Sequence, residues 1–242
     1  MKKKIIPVVV AVLAVLSVLI GIVVTNDNRK PSESLTTGSV KETETASRTS
    51  QFPYTLANGC EIVELKGLSG AFPEDGTNDI KENTAAIVVR NGTESHFQLM
   101  NIVIETDKGN LEFQLTTFFA DSWMTVFEKN ARTFSRDMKI KSVKLIKSVV
   151  FAVPPTVYSD IFEITVHDSV LNIKNISGSD IDGNIFIYYK SIDENSDWYG
   201  GITYRTAVSG GLKNGELRQL PASHFTKAGS KVVFVTYAEK RL

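Results

Sequence analysis

The residue types that carry most enzyme chemistry stand in this sequence without the spacing that such chemistry needs. None of the three histidines, His96, His167 and His224, falls in an H-E-x-x-H or similar metal-binding pattern. The run Gly67-Leu68-Ser69-Gly70 is one residue short of the G-x-S-x-G turn that presents a nucleophilic serine, and no helix pattern follows it. We therefore expect a protein that is not an enzyme and needs no cofactor.

An acidic segment, Asp193-Glu194-Asn195-Ser196-Asp197, begins like a calcium-binding loop, with oxygen ligands at alternate positions. The sixth position should be glycine and is Trp198, and the twelfth should be glutamate and is Tyr204. Local hydrogen bonds of Asp and Asn explain the segment as an ordinary turn. We therefore predict no metal site, with a calcium ion held between strands as the minor alternative.

Cys60 is the only cysteine, so the chain can form neither an internal disulfide nor a thiolate metal cluster. A lone cysteine usually behaves as a small buried apolar residue, and we expect this of Cys60, with pairing between two chains as the alternative.

Aromatic residues offer the best candidates for a binding surface. Neighbours on a strand point to opposite faces, so only one member of Tyr188-Tyr189 can enter a core. Exposed Tyr and Trp often contact proteins or sugars. The candidate contact residues are Trp198, Tyr199, Trp123 and Tyr189. The alternative interpretation is that they fill a core and the rim between two packed domains.

A basic cluster is the second candidate surface. Its members are Arg132, Arg136, Lys139, Lys141, Lys144 and Lys147. Such a cluster can attract anionic envelope polymers or lipid headgroups, although a solvated strand face is the simpler explanation. Over the whole chain 27 basic residues balance 27 acidic ones, which gives no reason to expect nucleic-acid binding.

The amino-terminal region has the composition of a membrane anchor. Twenty positions without a charge, 5–24, follow the basic segment 1–4, which contains three lysines. A helix of twenty residues spans about 30 Å, the thickness of a bilayer core. The lysines favour a cytoplasmic amino end. A cleaved signal peptide is the alternative, but this apolar run is long for one and no small-x-small cleavage site follows it. We predict a single-pass signal anchor in the cell membrane, with the rest of the chain outside the cytoplasm.

The segment 25–50 is polar, lacks aromatic residues and cannot bury enough apolar surface to offset the entropy of ordering it. We predict a disordered linker with a reach of roughly 30 Å.

From residue 51 onward, short β-branched and aromatic runs alternate with turn residues, which is typical of an antiparallel all-β protein. Consecutive prolines at 154 and 155 disfavour both helix and central strand, so we place a domain boundary there. The stretch 139–151 is ambiguous because its lysines are spaced by three, which suits a helix, whereas its β-branched content favours a strand. We favour the strand.

The two halves of this region look like a repeat. Val89-Arg90-Asn91 matches Ile173-Lys174-Asn175 at an offset of about 84, and both asparagines begin formal glycosylation sequons that turn formation explains equally well. The order of strands and turns in Val88-Val89-Arg90-Asn91-Gly92-Thr93, Asn101 to Asn110 and, more loosely, Leu171 to Asp193 resembles the FxLYD-type immunoglobulin-like domains of membrane-anchored bacterial surface proteins. The resemblance implies an extracellular module with no catalytic residues.

The sequence thus predicts one transmembrane helix followed by two immunoglobulin-like antiparallel β-sandwich domains, 51–153 and 154–242. The expected function is that of a membrane-anchored extracytoplasmic interaction protein that binds a protein partner. The alternative is a module that binds carbohydrate or a cell-envelope polymer through Trp198, Tyr199 and neighbouring aromatic residues.

Overall fold

A computed structural model describes residues 51–77 and 79–238. These residues form β-strands joined by turns and contain no helix, so the predicted all-β class is confirmed. In this part of the chain no helix has the length and apolar character needed to cross a membrane. The predicted anchor, 5–24, and linker, 25–50, lie outside the described residues.

The first half contains seven strands. They are β1 (Tyr54–Thr55), β2 (Glu61–Ala71), β3 (Ile80–Asn91), β4 (Phe97–Thr106), β5 (Gly109–Phe118), β6 (Ser122–Phe127) and β7 (Ile140–Val150). Strands β2, β3 and β6 pair in that order, and β5, β4 and β7 form a second antiparallel sheet. Alternate residues of β4, Met100, Ile102 and Ile104, are buried, as expected for a strand with one face on a core. We call β2–β7 the first sandwich.

The second half repeats this arrangement with six strands. They are β8 (Phe162–His167), β9 (Val170–Asn175), β10 (Ile185–Ile192), β11 (Trp198–Val208), β12 (Leu217–Pro221) and β13 (Ser230–Thr236). The pairing orders are β8-β9-β12 and β11-β10-β13, which match β2-β3-β6 and β5-β4-β7 strand for strand. We call β8–β13 the second sandwich. The repeat inferred from residue types therefore extends to strand topology.

Two large hydrophobic cores lie on either side of the Pro154-Pro155 break. Apart from the half-buried Trp198, the residues of the first core precede Val153, and those of the second follow Pro155. Contacts nevertheless join the sandwiches into one compact unit.

A buried asparagine closes the end of β3. The Asn91 side chain donates to the carbonyl oxygens of Ser95, at 2.9 Å, and Phe119, at 2.7 Å. Its oxygen accepts from the Thr93 N–H and hydroxyl, at 3.1 and 2.8 Å, and from the Cys60 thiol at 3.7 Å. With every polar atom engaged and the residue 0% exposed, this amide is a structural part of the turn rather than an attachment point for a glycan.

The end of β9 is built in the same way. Asn175, also fully buried, donates to the carbonyl oxygens of Ser179 and Leu212 at 2.7 and 2.9 Å. Its oxygen accepts from the N–H and hydroxyl of Ser177 at 3.0 and 2.8 Å. In both turns the local partners stand two and four residues after the asparagine, and a third partner lies far along the chain, so the two halves share a hydrogen-bond pattern as well as a strand order.

The ambiguous stretch 139–151 contains strand β7, which confirms the strand prediction. Register shifts in its pairing with β4 leave Lys141 and Ile146 as extra residues. The bulge at Ile146 allows Lys144, opposite Val103, and Lys147, opposite Asn101, to share one face although they are three positions apart. The helix-like spacing thus reflects β-bulges.

Candidate functional site

The most elaborate polar arrangement in the described chain lies where the two sandwiches meet. There the start of β11 pairs in parallel with β6, with Trp198 opposite Met124 and Tyr199 opposite Thr125. This pairing joins β1-β2-β3-β6 and β11-β10-β13 into one seven-stranded sheet. We call this region, with the β2–β3 loop that covers it, the junction.

Two glycines make the close approach possible. A Cβ atom on Gly201 would lie 1.8 Å from the carbonyl oxygen of Gln114 in β5, a distance that no side chain tolerates. Gly200 has φ of +82°, and a Cβ there would lie 2.4 Å from the ring of Pro73. The dipeptide therefore lets β11 pass against the first sandwich, at a point where the pairing of β10 with β11 is also irregular.

A fully buried lysine crosses the junction. Lys190 of β10 is 0% exposed, and its ammonium group donates to the carbonyl oxygens of Thr116 at 2.9 Å, Ile202 at 2.9 Å and Gly201 at 3.2 Å. Thr116 belongs to the first sandwich and the other two acceptors to the second. Three acceptors match the three N–H donors of an ammonium group, so this side chain is fully satisfied while it holds both sandwiches.

The opposite charge comes from the β2–β3 loop. Glu74 accepts from the Gly201 N–H at 2.7 Å and from the Phe127 N–H at 3.2 Å, so it too contacts both sandwiches. The two charged groups therefore bind opposite ends of the Gly201 residue, Glu74 at its N–H and Lys190 at its carbonyl oxygen. The carbonyl oxygens of Ala71, at the end of β2, and of Pro73, in the loop, accept from the Tyr199 and Tyr204 hydroxyls at 3.2 and 3.3 Å.

Burial dominates the electrostatics of this charged pair. It lowers the pKa of Lys190, and the charge of Glu74 offsets only part of that shift. Burial raises the pKa of Glu74, against the lowering effects of the Gly201 and Phe127 N–H groups and of Lys190. Each charge therefore depends on the other and on the surrounding dipoles, which suits a structural joint whose hydrogen bonds are already made.

The predicted aromatic residues are divided by the structure. Trp198 and Tyr199 come together in the junction, both half-buried, with ring centres 5.4 Å from Phe119 and 5.3 Å from Phe127 respectively. Their side chains thus serve largely the core-and-rim role that the sequence left as the alternative. Their role in contacting a ligand stays a prediction.

The other two aromatic candidates lie elsewhere. Tyr189 is 2% exposed and packs between Tyr204 and Phe225, so its proposed role as a surface contact is corrected: it is a core residue of the second sandwich. Trp123 is 38% exposed beneath the Arg90 guanidinium, 5.7 Å from the ring centre, and remains available at the surface.

All six residues of the predicted basic cluster are exposed. Lys144 forms an ion pair with Glu105 at 2.5 Å. No ion pair within 4 Å is formed by the other five with any described carboxylate; they are Arg132, Arg136, Lys139, Lys141 and Lys147. The cluster therefore keeps most of its positive charge available to solvent.

The acidic segment and Cys60 have structural roles. The Asp193 carboxylate accepts from the N–H groups of Asn195 and Asp197 at 2.9 and 3.0 Å, as in an ordinary turn. No group of three His, Cys, Asp or Glu side chains in residues 51–77 and 79–238 is arranged to hold a metal ion. Cys60 is buried, and this raises the pKa of its thiol to about 12.

Sequence reasoning missed the charged half of the junction. Lys190 ends an apolar strand pattern, where a lysine normally reaches solvent, and Glu74 lies in a loop that resembles any polar turn. The Gly200-Gly201 pair was the one available signal, because glycine inside a strand often marks the close approach of another backbone.

Comparison with known proteins finds no matching family model, no matching curated protein and no matching solved structure.

Proposed function

We propose that this chain is a single-pass membrane protein whose extracytoplasmic part, two immunoglobulin-like sandwiches, acts as one rigid module that binds a protein partner. The anchor follows from the twenty uncharged positions of residues 5–24 and the lysines before them. The assignment to immunoglobulin-like domains follows from paired antiparallel sheets with the same strand order in both halves. The module needs no catalytic step.

The junction is the observation that carries this proposal. Two sandwiches joined only by a linker move independently, as domains generally do when little surface connects them. Here Lys190 and Glu74 each bind groups of both sandwiches, and a continuous sheet crosses between them. A module with one fixed shape loses less conformational freedom when it binds, so its surfaces recognise a partner as a single unit.

Membrane topology is tested with the full chain in bacterial cells, fused at its carboxyl end to alkaline phosphatase, which is active only outside the cytoplasm. We expect an active reporter that stays in the membrane fraction at full length. A chain lacking residues 5–24 serves as the control and should leave the reporter inactive. An inactive reporter on the full chain, or release of a polypeptide trimmed near residue 25, would refute the anchor.

Partner binding is tested by photo-crosslinking from the exposed Trp123 position in intact cells, with the full chain carrying a photoreactive residue there. We expect one discrete protein adduct, which becomes weaker in the Lys190→Met variant because its sandwiches are no longer fixed. A parallel glycan array probes the carbohydrate alternative. Glycan binding that Trp198→Ala abolishes, while the circular dichroism spectrum is unchanged, would favour that alternative over the protein partner.

A further inference from the structure

The first described residues, 51–58, lie beside β7, the strand at one edge of the first sandwich. The Gln51 side chain donates to the carbonyl oxygen of Ile140 at 3.1 Å, at the start of β7. Further along, the Tyr54 hydroxyl contacts the carbonyl oxygen of Val143, and Asn58 contacts Ser148. Residues 51–58 therefore follow β7 from its beginning, which places the entry of the chain at the end where β7 starts.

The exposed positive charge is concentrated at that same end. Arg132 and Arg136 belong to the loop between β6 and β7, and Lys139 and Lys141 flank the first residue of β7. The Arg132 guanidinium lies against Gly109 in the β4–β5 turn. Loop, turn and strand start thus converge, and we call these four cations the basic end.

The neighbouring carboxylates neutralise only part of this charge. Asp137 pairs with Lys108 at 2.5 Å, and Glu105 pairs with Lys144. Asp107 accepts from the backbone N–H of Lys139 at 2.8 Å. The buried Glu128 is surrounded by backbone N–H groups, including those of Asn130 and Arg132. With the paired Lys108 and Lys144 counted, six basic side chains meet these four carboxylates, so positive charge is in excess among them.

The position of the basic end gives it a natural partner if the proposed anchor holds. A disordered linker of the length predicted for residues 25–50 would have an r.m.s. reach of roughly 30 Å, which would keep the entry end of the first sandwich close to the bilayer. Anionic headgroups attract clusters of Lys and Arg over about a Debye length, about 8 Å at physiological salt. Ile80, 73% exposed at the start of β3, lies at the same end and offers an apolar contact.

We propose that the basic end docks the first sandwich onto anionic lipid headgroups of the membrane that holds the chain, which fixes the orientation of the rigid module. This inference rests on the proposed membrane anchor. The docking is electrostatic, so it weakens as salt is added.

The test uses the full chain reconstituted in nanodiscs of either phosphatidylcholine alone or phosphatidylcholine with about one third phosphatidylglycerol. A fluorophore on Thr133→Cys, an exposed position in the loop between β6 and β7, reports quenching by spin labels on the lipid headgroups. The buried Cys60 thiol, with its raised pKa, does not compete for the label. We expect about twofold stronger quenching in anionic discs, and its loss in about 0.5 M salt.

A matched pair of charge variants identifies the surface responsible. Arg136→Gln/Lys139→Gln/Lys141→Gln should abolish the difference between the two kinds of disc, whereas Lys174→Gln/Lys213→Gln/Lys227→Gln, which removes the same charge from the second sandwich, should preserve it. Equal quenching in both discs, or equal effects of the two variants, would overturn the inference. So would a response in neutral discs to added soluble polyphosphate, because the partner would then be a polymer.

Failure of the anchor is distinguishable from failure of the docking. A chain that does not insert into nanodiscs of either composition refutes the membrane anchor itself. A chain that inserts but shows no lipid-dependent quenching refutes only the docking surface.

Discussion

The two sandwiches share a frame but use one equivalent strand in different ways. β5 and β11 hold the same place in the strand order, each at the edge of a three-stranded set. Among the described strands none pairs with the outer edge of β5, whereas β11 pairs with β6 of the other sandwich. The difference lies in a few residues: β11 contains Gly200-Gly201, and its neighbour β10 ends near Lys190.

This contrast shows how one of two similar sandwiches can be held against the other. The asparagine turns at 91 and 175 preserve the frame in both halves, while two glycines and one buried charge convert an edge strand into a joint. Exposed edge strands invite pairing with other chains. In the second sandwich, the edge strand β11 pairs with β6 of the same chain instead.

The largest expected effect comes from removing the buried charge of Lys190. Lys190→Met leaves Glu74 without its buried cation and takes the ammonium donor from three carbonyl oxygens, two of which keep a threonine hydroxyl as donor. We expect a loss of roughly 3–5 kcal/mol in the free energy of unfolding. Urea unfolding measures it, with the exposed Lys147→Met as a control expected to change stability by less than about 0.5 kcal/mol. In Lys190→Met/Glu74→Leu the loss should be smaller than the sum of the single changes; simple additivity would show that the two groups are not coupled.

The shared frame is tested by the same substitution in both halves. Asn91→Ala removes five hydrogen bonds and Asn175→Ala removes four, in each case from a buried turn, and each should cost about 2–4 kcal/mol. Thermal unfolding compares them with Asn195→Ala, whose exposed side chain should matter little. A cost at one position and none at the other would mean that the two turns are not equivalent.

The close approach at β11 is tested by adding one carbon atom. In Gly201→Ala the new Cβ overlaps the Gln114 carbonyl oxygen, so the strand must move and we expect a loss of about 1–3 kcal/mol. Gly92→Ala is the matched control, because its Cβ would meet only the Arg90 side chain at 3.8 Å or more. If both variants unfold at the same urea concentration as the parent chain, the approach of β11 to β5 is looser than described.

A smaller effect is expected from pH. Folding raises the pKa of Glu74 above its ordinary 4.5, so the stability that this group contributes is full below pH 4.5 and is lost as pH rises through its folded value. Folding lowers the pKa of Lys190, so its protonation is disfavoured in the folded state and stability recovers as pH rises toward the ordinary lysine value of 10.5.

Unfolding free energies at a series of pH values check this expectation. The difference in stability between the parent chain and Glu74→Gln should fall as pH increases above 4.5. A difference that rises with pH over this interval would mean that the carboxylate, rather than the acid, is favoured by folding.

Much of the frame was predictable because strands leave strong local patterns. The runs around β3, β4, β5, β10, β11 and β13 were recognised from β-branched and aromatic residues, and the offset of 84 between Asn91 and Asn175 corresponds to equivalent buried turns. Strand β6 was missed because its sequence, Ser122–Phe127, is short and mixed in polarity. The β7 lysines looked helical because bulges imitate a spacing of three.

The junction could not be predicted because its residues are far apart in the sequence and individually ordinary. Glu74, Thr116 and Lys190 acquire their roles only when two folded sandwiches meet. The same event half-buries both Trp198 and Tyr199, which the sequence alone offered as contact residues. Local patterns thus predicted many of the strands and turns, whereas the surface between the two sandwiches depends on their tertiary arrangement.

Rigidity of the junction is tested most directly by a distance measurement between the sandwiches. Spin labels on Glu94→Cys and Ile176→Cys, both exposed positions, report the distance from the first sandwich to the second by pulsed electron paramagnetic resonance. The buried Cys60 stays unlabelled. We predict one narrow distance distribution in the parent background, which broadens when Lys190→Met is added. A broad or multimodal distribution in the parent background would contradict the account, because the sandwiches would then move independently.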